Sequence, residues 1–179
     1  MVNTVPLGSQ ADLVSASISG DQAAFDALVG PLIEPGFKLA AVMLRDREEA
    51  RDAVQEACMM AWRKLSQLRG EAQVRPWFLS IVANQCRNRR RARWWSVVRL
   101  SAIHSSEEIG HGDWDSQLDL DRQLRSLPDR HRMALFLFFY EDLPLAEVAK
   151  ILNVSPKAAK SLVHRAVVKL RLNMVEVTP

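Results

Sequence analysis

The chain has 179 residues, 48% of them hydrophobic and 25% charged, with 24 lysines and arginines against 21 aspartates and glutamates for a formal net charge of +3. This is ordinary globular usage, which excludes a disordered chain, and the length suits one average domain or two small ones. The longest uninterrupted apolar run, "MALFLFFY" from Met133 to Tyr140, falls far short of the roughly 20 residues of a membrane-spanning helix.

The N-terminal stretch "MVNTVPLGSQADLVSAS" has neither the basic segment nor the apolar segment of a secretory signal, so a cytoplasmic location is expected. Residues 1–20 are expected to be disordered. "DQAAFDALVGPLIEPGFKLAAVML" predicts a helix from about Asp21 to Leu44, broken or kinked around Pro31 and Pro35. In "DREEARDAVQEACMMAWRKLSQL" the apolar positions Ala50, Ala53, Val54, Ala57, Cys58, Ala61, Leu65 and Leu68 repeat at three-and-four spacing, which predicts an amphipathic helix. Its opposite face carries Asp52, Gln55, Glu56, Met59 and Arg63. A loop follows, and "RPWFLSIVANQCRNRRRAR" opens another helix with Pro76 in its first turn.

That helix ends in "QCRNRRRARWW", where Arg87, Arg89, Arg90, Arg91 and Arg93 run into Trp94 and Trp95. From 96 to 117 the chain has glycine, serine and acid without periodicity, which reads as an acidic, flexible linker. Two further helices meet at Leu127-Pro128. Then a short helix, Leu145 to Leu152, reaches a turn at Asn153-Val154, and a basic helix opens with Ser155 as N-cap and Pro156 in its first position. Asn153 tolerates the left-handed backbone that ends the first of these two. Helix, tight turn and basic helix make a helix-turn-helix. On the last helix Ala159, Val163, Ala166 and Leu170 mark the core face. The other face shows Lys157, Lys160, Ser161, His164 and Arg165, a set suited to phosphates and base edges in a major groove.

The expected fold is therefore all-α: two small helical domains, 21–95 and 118–175, joined by the linker, with the helix-turn-helix in the second. No enzyme chemistry is legible. His104, His111, His131 and His164 are scattered, no nucleophile has a base beside it, no glycine-rich phosphate loop is present, and no histidines pair at metal spacing. No cofactor and no metal are expected, and Cys58 and Cys86 are expected as free thiols.

The blocks "DREEARDAVQEACMMAW … RPWFLSIVANQCRNRRR" and "LRSLPDRHRMALFLFFYEDLPLAEVAKILNVSPKAAKSLVHRAVVKLR" resemble, in that order and with a linker between, a bacterial RNA polymerase sigma factor of the small extracytoplasmic-function group. The resemblance implies a first domain that docks on core RNA polymerase and recognises and melts the minus-ten promoter element. It implies a second domain that reads the minus-thirty-five element, and an anti-sigma factor as a further partner. Asp52, Gln55 and Glu56 match the family's Asp-x-x-Gln-Glu docking signature, with Met59 and Arg63 on the same face. Arg75, Trp77, Asn84, Arg87, Asn88 and Arg91 fall in the segment that lines the minus-ten site in similar proteins, although Trp77 suits a core anchor as well. Lys157, Lys160, Ser161, His164 and Arg165 fall on the minus-thirty-five helix. The chain departs from the family where Ala158, Ala159 and Leu162 replace the common threonine, valine and arginine, and where Asn88 replaces a common aspartate. A positive groove beside flat aromatic surfaces is what unstacked single strands require, and the arginine cluster fits that role. Trp94 and Trp95 suit either stacking on bases or anchoring of the linker. The rival reading is a DNA-binding regulator that uses the helix-turn-helix alone, with the first domain as a sensor or dimerisation module.

Overall fold

The computed structural model describes residues 9–68, 73–100 and 126–175, and every regular element among them is helical. The first helix, α1 (Gln10–Ile18), lies inside the stretch expected to be disordered. It forms because Ser9 and Asp12 make a reciprocal cap: the Asp12 amide donates to Ser9 Oγ at 3.3 Å and the Ser9 amide donates to Asp12 Oδ2 at 2.9 Å. Its Leu13 and Val14 pack against the core.

Asp21 caps α2 (Gln22–Leu44) by accepting from the Ala24 amide at 3.1 Å. The helix continues through Pro31 and Pro35, so the expected break is corrected to one helix. Each proline removes a backbone donor and crowds the carbonyl four residues before it, at a cost of about 3 kcal/mol or more. Burial of Phe25, Leu28, Val29, Leu39, Ala40, Met43 and Leu44 opposes that loss. On length and composition alone α2 could cross a bilayer. Here it is the central core helix, packed on α1, α3 and α4. Arg45, left-handed at φ 59°, ends it, and Asp46 starts α3 (Arg47–Lys64) by accepting from the Glu48 and Glu49 amides at 2.9 and 3.0 Å. Ala50, Ala53, Ala57 and Ala61 are fully buried, and such small side chains let α3 approach α2 and α4 closely.

After a 3-10 turn at Leu65–Gln67, α4 runs from Val74 to Leu100, five residues into the stretch read as linker. The rest of that stretch, from residue 101, lies outside the described residues. Gly36 of α2 sits where a side chain would collide with α4: a Cβ there would lie 3.1 Å from Phe78 Cε1 and 3.3 Å from Val82 Cγ2.

In the C-terminal half, α5 (Asp129–Leu135) passes into a five-residue π turn, Phe136–Tyr140, closed by the Glu141 amide donating to the Phe136 carbonyl at 3.0 Å. Then come α6 (Leu145–Leu152) and α7 (Pro156–Val175). The turn between them is as expected: Asn153 is left-handed at φ 54°, ψ 54°, and Ser155 Oγ accepts from the Ala158 amide at 3.2 Å. The two halves are in direct contact. Met133, Leu137, Val148, Ile151 and Leu152 belong to the same apolar cluster as the residues of α2, α3 and α4, and α6 packs on α4. Leu127, Leu135 and Ala166 form a second, smaller cluster under α7.

Candidate nucleic-acid interface

The five candidate residues of α7 stand together. Lys157, Lys160, Ser161, His164 and Arg165 are all exposed, while Ala159, Val163 and Ala166 turn inward. The rigid turn at Asn153 and the Ser155 cap fix where this face begins, and the chemistry it presents is cations for phosphates with a hydroxyl and an imidazole between them.

On α4 the candidates divide. At about 100° per residue, Trp77, Asn84, Arg87, Asn88 and Arg91 share an arc of roughly 100°. Arg75 lies at least roughly 120° outside it by the same arithmetic. Asn84, Asn88 and Arg91 are exposed. Arg87 is half-buried at the arc's edge, where it donates to Asn84 Oδ1 and, through Nη1, to the Ile151 carbonyl of α6 at 2.9 Å. Burial draws its pKa down, and the charge of Arg130 adds to that. Trp77 is half-buried and packs against the core. Arg75 pairs with the carboxylate of Glu141, which is 1% exposed.

The arginine cluster likewise fans out, because successive residues of a helix point in different directions. Arg89 Nη2 donates to Glu56 Oε1 at 2.7 Å and its Nη1 lies 3.5 Å from Asp52 Oδ2. Burial works against its charge, but the hydrogen bond from Arg89 to Glu56 and the charges of Glu56, Asp52 and Glu49 outweigh it, so its pKa is raised. Arg90 reaches Asp129 Oδ2 at 2.8 Å, and Arg91 points to solvent. The side chains of Arg93, Trp94 and Trp95 lie outside the described residues.

On α3, Asp52, Gln55, Met59 and Arg63 are exposed and Glu56 is half-buried. Two of these, Asp52 and Glu56, meet Arg89 rather than standing free. Met59 and Trp62 add apolar surface to this side, both more than two-fifths exposed, with Trp62 edge-on to Phe25 at 4.9 Å between ring centroids. Trp62 was absent from the sequence-based set, although its position three residues after Met59 put it within reach. Asp129 and Glu141 were also absent, and the carboxylate partners of Arg89, Arg90 and Arg75 in the basic helix are set by contacts with no local sequence signal. Among the described residues, no group of three histidines, cysteines or carboxylates could hold a metal ion.

The sequence pattern of sigma-70 region 2 matches residues 34–96, and that of sigma-70 region 4 matches residues 117–170. The ECF RNA polymerase sigma factor SigM of Mycobacterium tuberculosis is 30% identical over 163 residues, covering 90% of this chain and 83% of SigM. This chain belongs to the ECF sigma factors of the sigma-70 family. Members of this family are transcription initiation factors rather than enzymes. The region 2 match occupies the part that the rival reading assigned to a sensor, which removes the regulator alternative. Two solved structures share the fold: the sigma factor RpoE of Bartonella quintana, in complex with the anti-sigma factor NepR, at TM-score 0.71 and 21% identity over 87% of this chain and 98% of that one; and CnrH, in complex with the cytosolic domain of CnrY, at TM-score 0.69 and 22% identity over 96% and 100%. In this sigma factor, the region 2 match contains α3 and most of α4, and the region 4 match contains α5, α6 and most of α7.

Proposed function

We propose that this sigma factor divides promoter recognition among three faces. Asp52, Gln55, Glu56, Met59 and Arg63 on α3 dock on core RNA polymerase, the Asn84–Arg91 arc of α4 holds the melted minus-ten strand, and the exposed face of α7 reads the minus-thirty-five duplex. Residues 21–95 and 118–175 act as the two functional domains. The protein works in the bacterial cytoplasm with polymerase and is restrained there by an anti-sigma factor, as the named partner of RpoE suggests. The observation that carries the reading is the α7 face, where five polar and basic side chains are exposed directly after a capped helix-turn-helix turn.

Energetics require the polymerase. Opening ten base steps costs on the order of 14 kcal/mol at about 1.4 kcal/mol per step. One captured base returns only about 1–3 kcal/mol. The α4 arc therefore selects and holds an opening that the assembled enzyme sustains, with Arg87 and Arg91 on phosphates and Asn84 and Asn88 within reach of base edges.

The test is permanganate reactivity of thymines in the promoter bubble, comparing wild type with the Arg87→Ala, Arg91→Ala pair at matched occupancy of core polymerase. Reduced reactivity in the variant is expected. Equal reactivity would remove α4 from strand capture.

A further inference from the structure

Arg89 departs from the other arginines of α4. At about 100° per residue it stands at least roughly 100° outside the Asn84–Arg91 arc, so it takes no part in the face proposed for the strand. It leans instead across to α3, where Nη2 donates to Glu56 Oε1 at 2.7 Å and Nη1 lies 3.5 Å from Asp52 Oδ2. Asp52 and Glu56 are one helical turn apart on the face assigned above to polymerase docking, and like charges at that spacing repel. Their side chains are 61% and 45% exposed, whereas that of Arg89 is 25% exposed, so the cation sits beneath the pair rather than over it. Arg89 Nε is buried with no hydrogen-bond partner among the described residues. A side chain free to swing into solvent would not leave a donor unmet, so the packing of α3 on α4 holds this guanidinium in place at a cost. One oxygen of each carboxylate meets Arg89, and the other stays open to an outside donor.

We propose that Arg89 is a positioning residue for polymerase docking: from α4 it forks Asp52 and Glu56 into one fixed pair on the α3 face, so that a basic side chain of polymerase meets two preset carboxylates rather than two mobile ones. The inference rests on the assignment of the α3 face to docking. A planar guanidinium suits this task because its donors leave in fixed directions and can reach two acceptors at once, which a lysine ammonium on a flexible stem does not reproduce. Released from the fork, both carboxylates would have to be ordered again at each binding event. Ordering one such side chain costs at least about twofold in affinity, and two cost at least about fivefold. Simple charge counting makes the opposite prediction. Arg89 is a cation lying beneath a face that receives a basic partner, so its removal should tighten binding if attraction between charges were all that mattered. Positioning and screening are therefore told apart by the sign of the change. The fork also ties the docking helix to the helix proposed to hold the melted strand, so that the two surfaces keep one relative placement when polymerase engages the first.

The experiment is a titration of the fluorescently labelled full chain with core RNA polymerase at fixed salt. The variants are Arg89→Met, the pair Asp52→Asn with Glu56→Gln, and all three together. Methionine keeps an unbranched apolar stem between α3 and α4 while removing the fork. Arg89→Met should bind polymerase at least about fivefold more weakly than wild type. In the background of the carboxylate pair the same substitution should change affinity less than about twofold, because nothing is left to position. Unchanged or tighter binding by Arg89→Met would overturn the proposal, and so would an equal loss in both backgrounds, which would report only support of the helix packing. Arg89→Lys, which keeps a charge and loses the fork, provides a second variant: a loss of about twofold to threefold is expected, and wild-type affinity would overturn the proposal. The carboxylate pair alone separates the two levels of inference. If it binds polymerase as wild type does, the docking assignment fails and the role of Arg89 falls with it. If it binds more weakly while Arg89→Met does not, only the positioning role fails.

Discussion

Two glycines of α2 should respond in opposite directions to the same substitution. In a helix interior alanine is favoured over glycine by about 0.5–1 kcal/mol, because glycine loses more backbone freedom on folding. At Gly30, which is exposed, an added Cβ meets nothing within 4 Å apart from its chain neighbours, but Pro31 follows, and its Cδ crowds the Cβ of a helical residue before it, so Gly30→Ala should realise only part of that gain. At Gly36 the same Cβ would sit 3.1 Å from Phe78 Cε1 and 3.3 Å from Val82 Cγ2. Phe78 and Val82 are both at 0% exposure inside the core cluster, so the few tenths of an ångström they must give are taken against packed neighbours. Overpacking of this kind typically costs about 1–3 kcal/mol, which exceeds the propensity gain and leaves Gly36→Ala destabilised by up to about 2 kcal/mol. The separation between the two variants is then up to about 3 kcal/mol. For a chain of this length that is several degrees in Tm, at about 2–4 °C per kcal/mol. Urea unfolding followed by circular dichroism reads both at once, and Gly36→Ala with Phe78→Leu should recover part of the loss by opening space. If Gly30→Ala and Gly36→Ala shift the midpoint in the same direction by the same amount, the close approach of α2 and α4 at Gly36 is not what limits that position.

Asp52→Ala with Glu56→Ala should weaken binding to core RNA polymerase by tenfold or more in a titration. It should lower stability by no more than about 2 kcal/mol, because each contact with Arg89 is partly exposed; unchanged polymerase affinity would retire the α3 assignment. Lys160→Ala with Arg165→Ala should lower the log–log salt slope of duplex binding by about 0.9 per lost phosphate contact, and an unaltered slope would place both side chains off the DNA. Burial, and then the charges of Lys169 and Arg165, lower the pKa of His131 below its ordinary 6.5. In the window below about pH 6.5 the unfolded chain therefore binds more protons than the folded one, so stability present above that pH is lost as the pH falls. The urea midpoint should accordingly drop less between pH 7.5 and 5.5 in His131→Gln than in wild type, and equal drops would count against the shift.

Where information was local, the sequence was sufficient. The alanine stripe of α3, the left-handed Asn153 and the Ser155 cap are short-range devices, and each appears in the fold where its spacing puts it. The α1 cap is equally local, since Ser9 and Asp12 stand three residues apart, and it went unread in a stretch expected to be disordered. Proline counted too heavily in α2, because the apolar residues that hold the helix together are buried by α1, α3 and α4, partners that its own sequence does not name. The π turn was hidden for a different reason: one extra residue per turn shifts the phase of "MALFLFFYED", and a periodic reading carries straight across it. Least legible was the fate of the arginines. Arg75 and Glu141 are 66 residues apart, and Arg87 and Ile151 are 64 apart, so nothing nearby indicates that the basic helix turns one flank inward.

The unbroken length of α4 has a metric consequence. Asn84 and Arg91, the ends of the arc proposed for the melted strand, stand seven residues apart, about 10 Å along a helix rising 1.5 Å per residue. At about 3.4 Å of strand per nucleotide, a rod of that span would act as a gauge roughly three nucleotides long. On the proposed reading its two ends address different nucleotides and cannot borrow from one another, because no joint lies between them. Substitutions at Asn84 and at Arg91 should therefore reduce strand affinity independently, their effects adding within about 0.5 kcal/mol, and a promoter whose melted segment is shifted by one nucleotide should lose its match along the whole gauge at once.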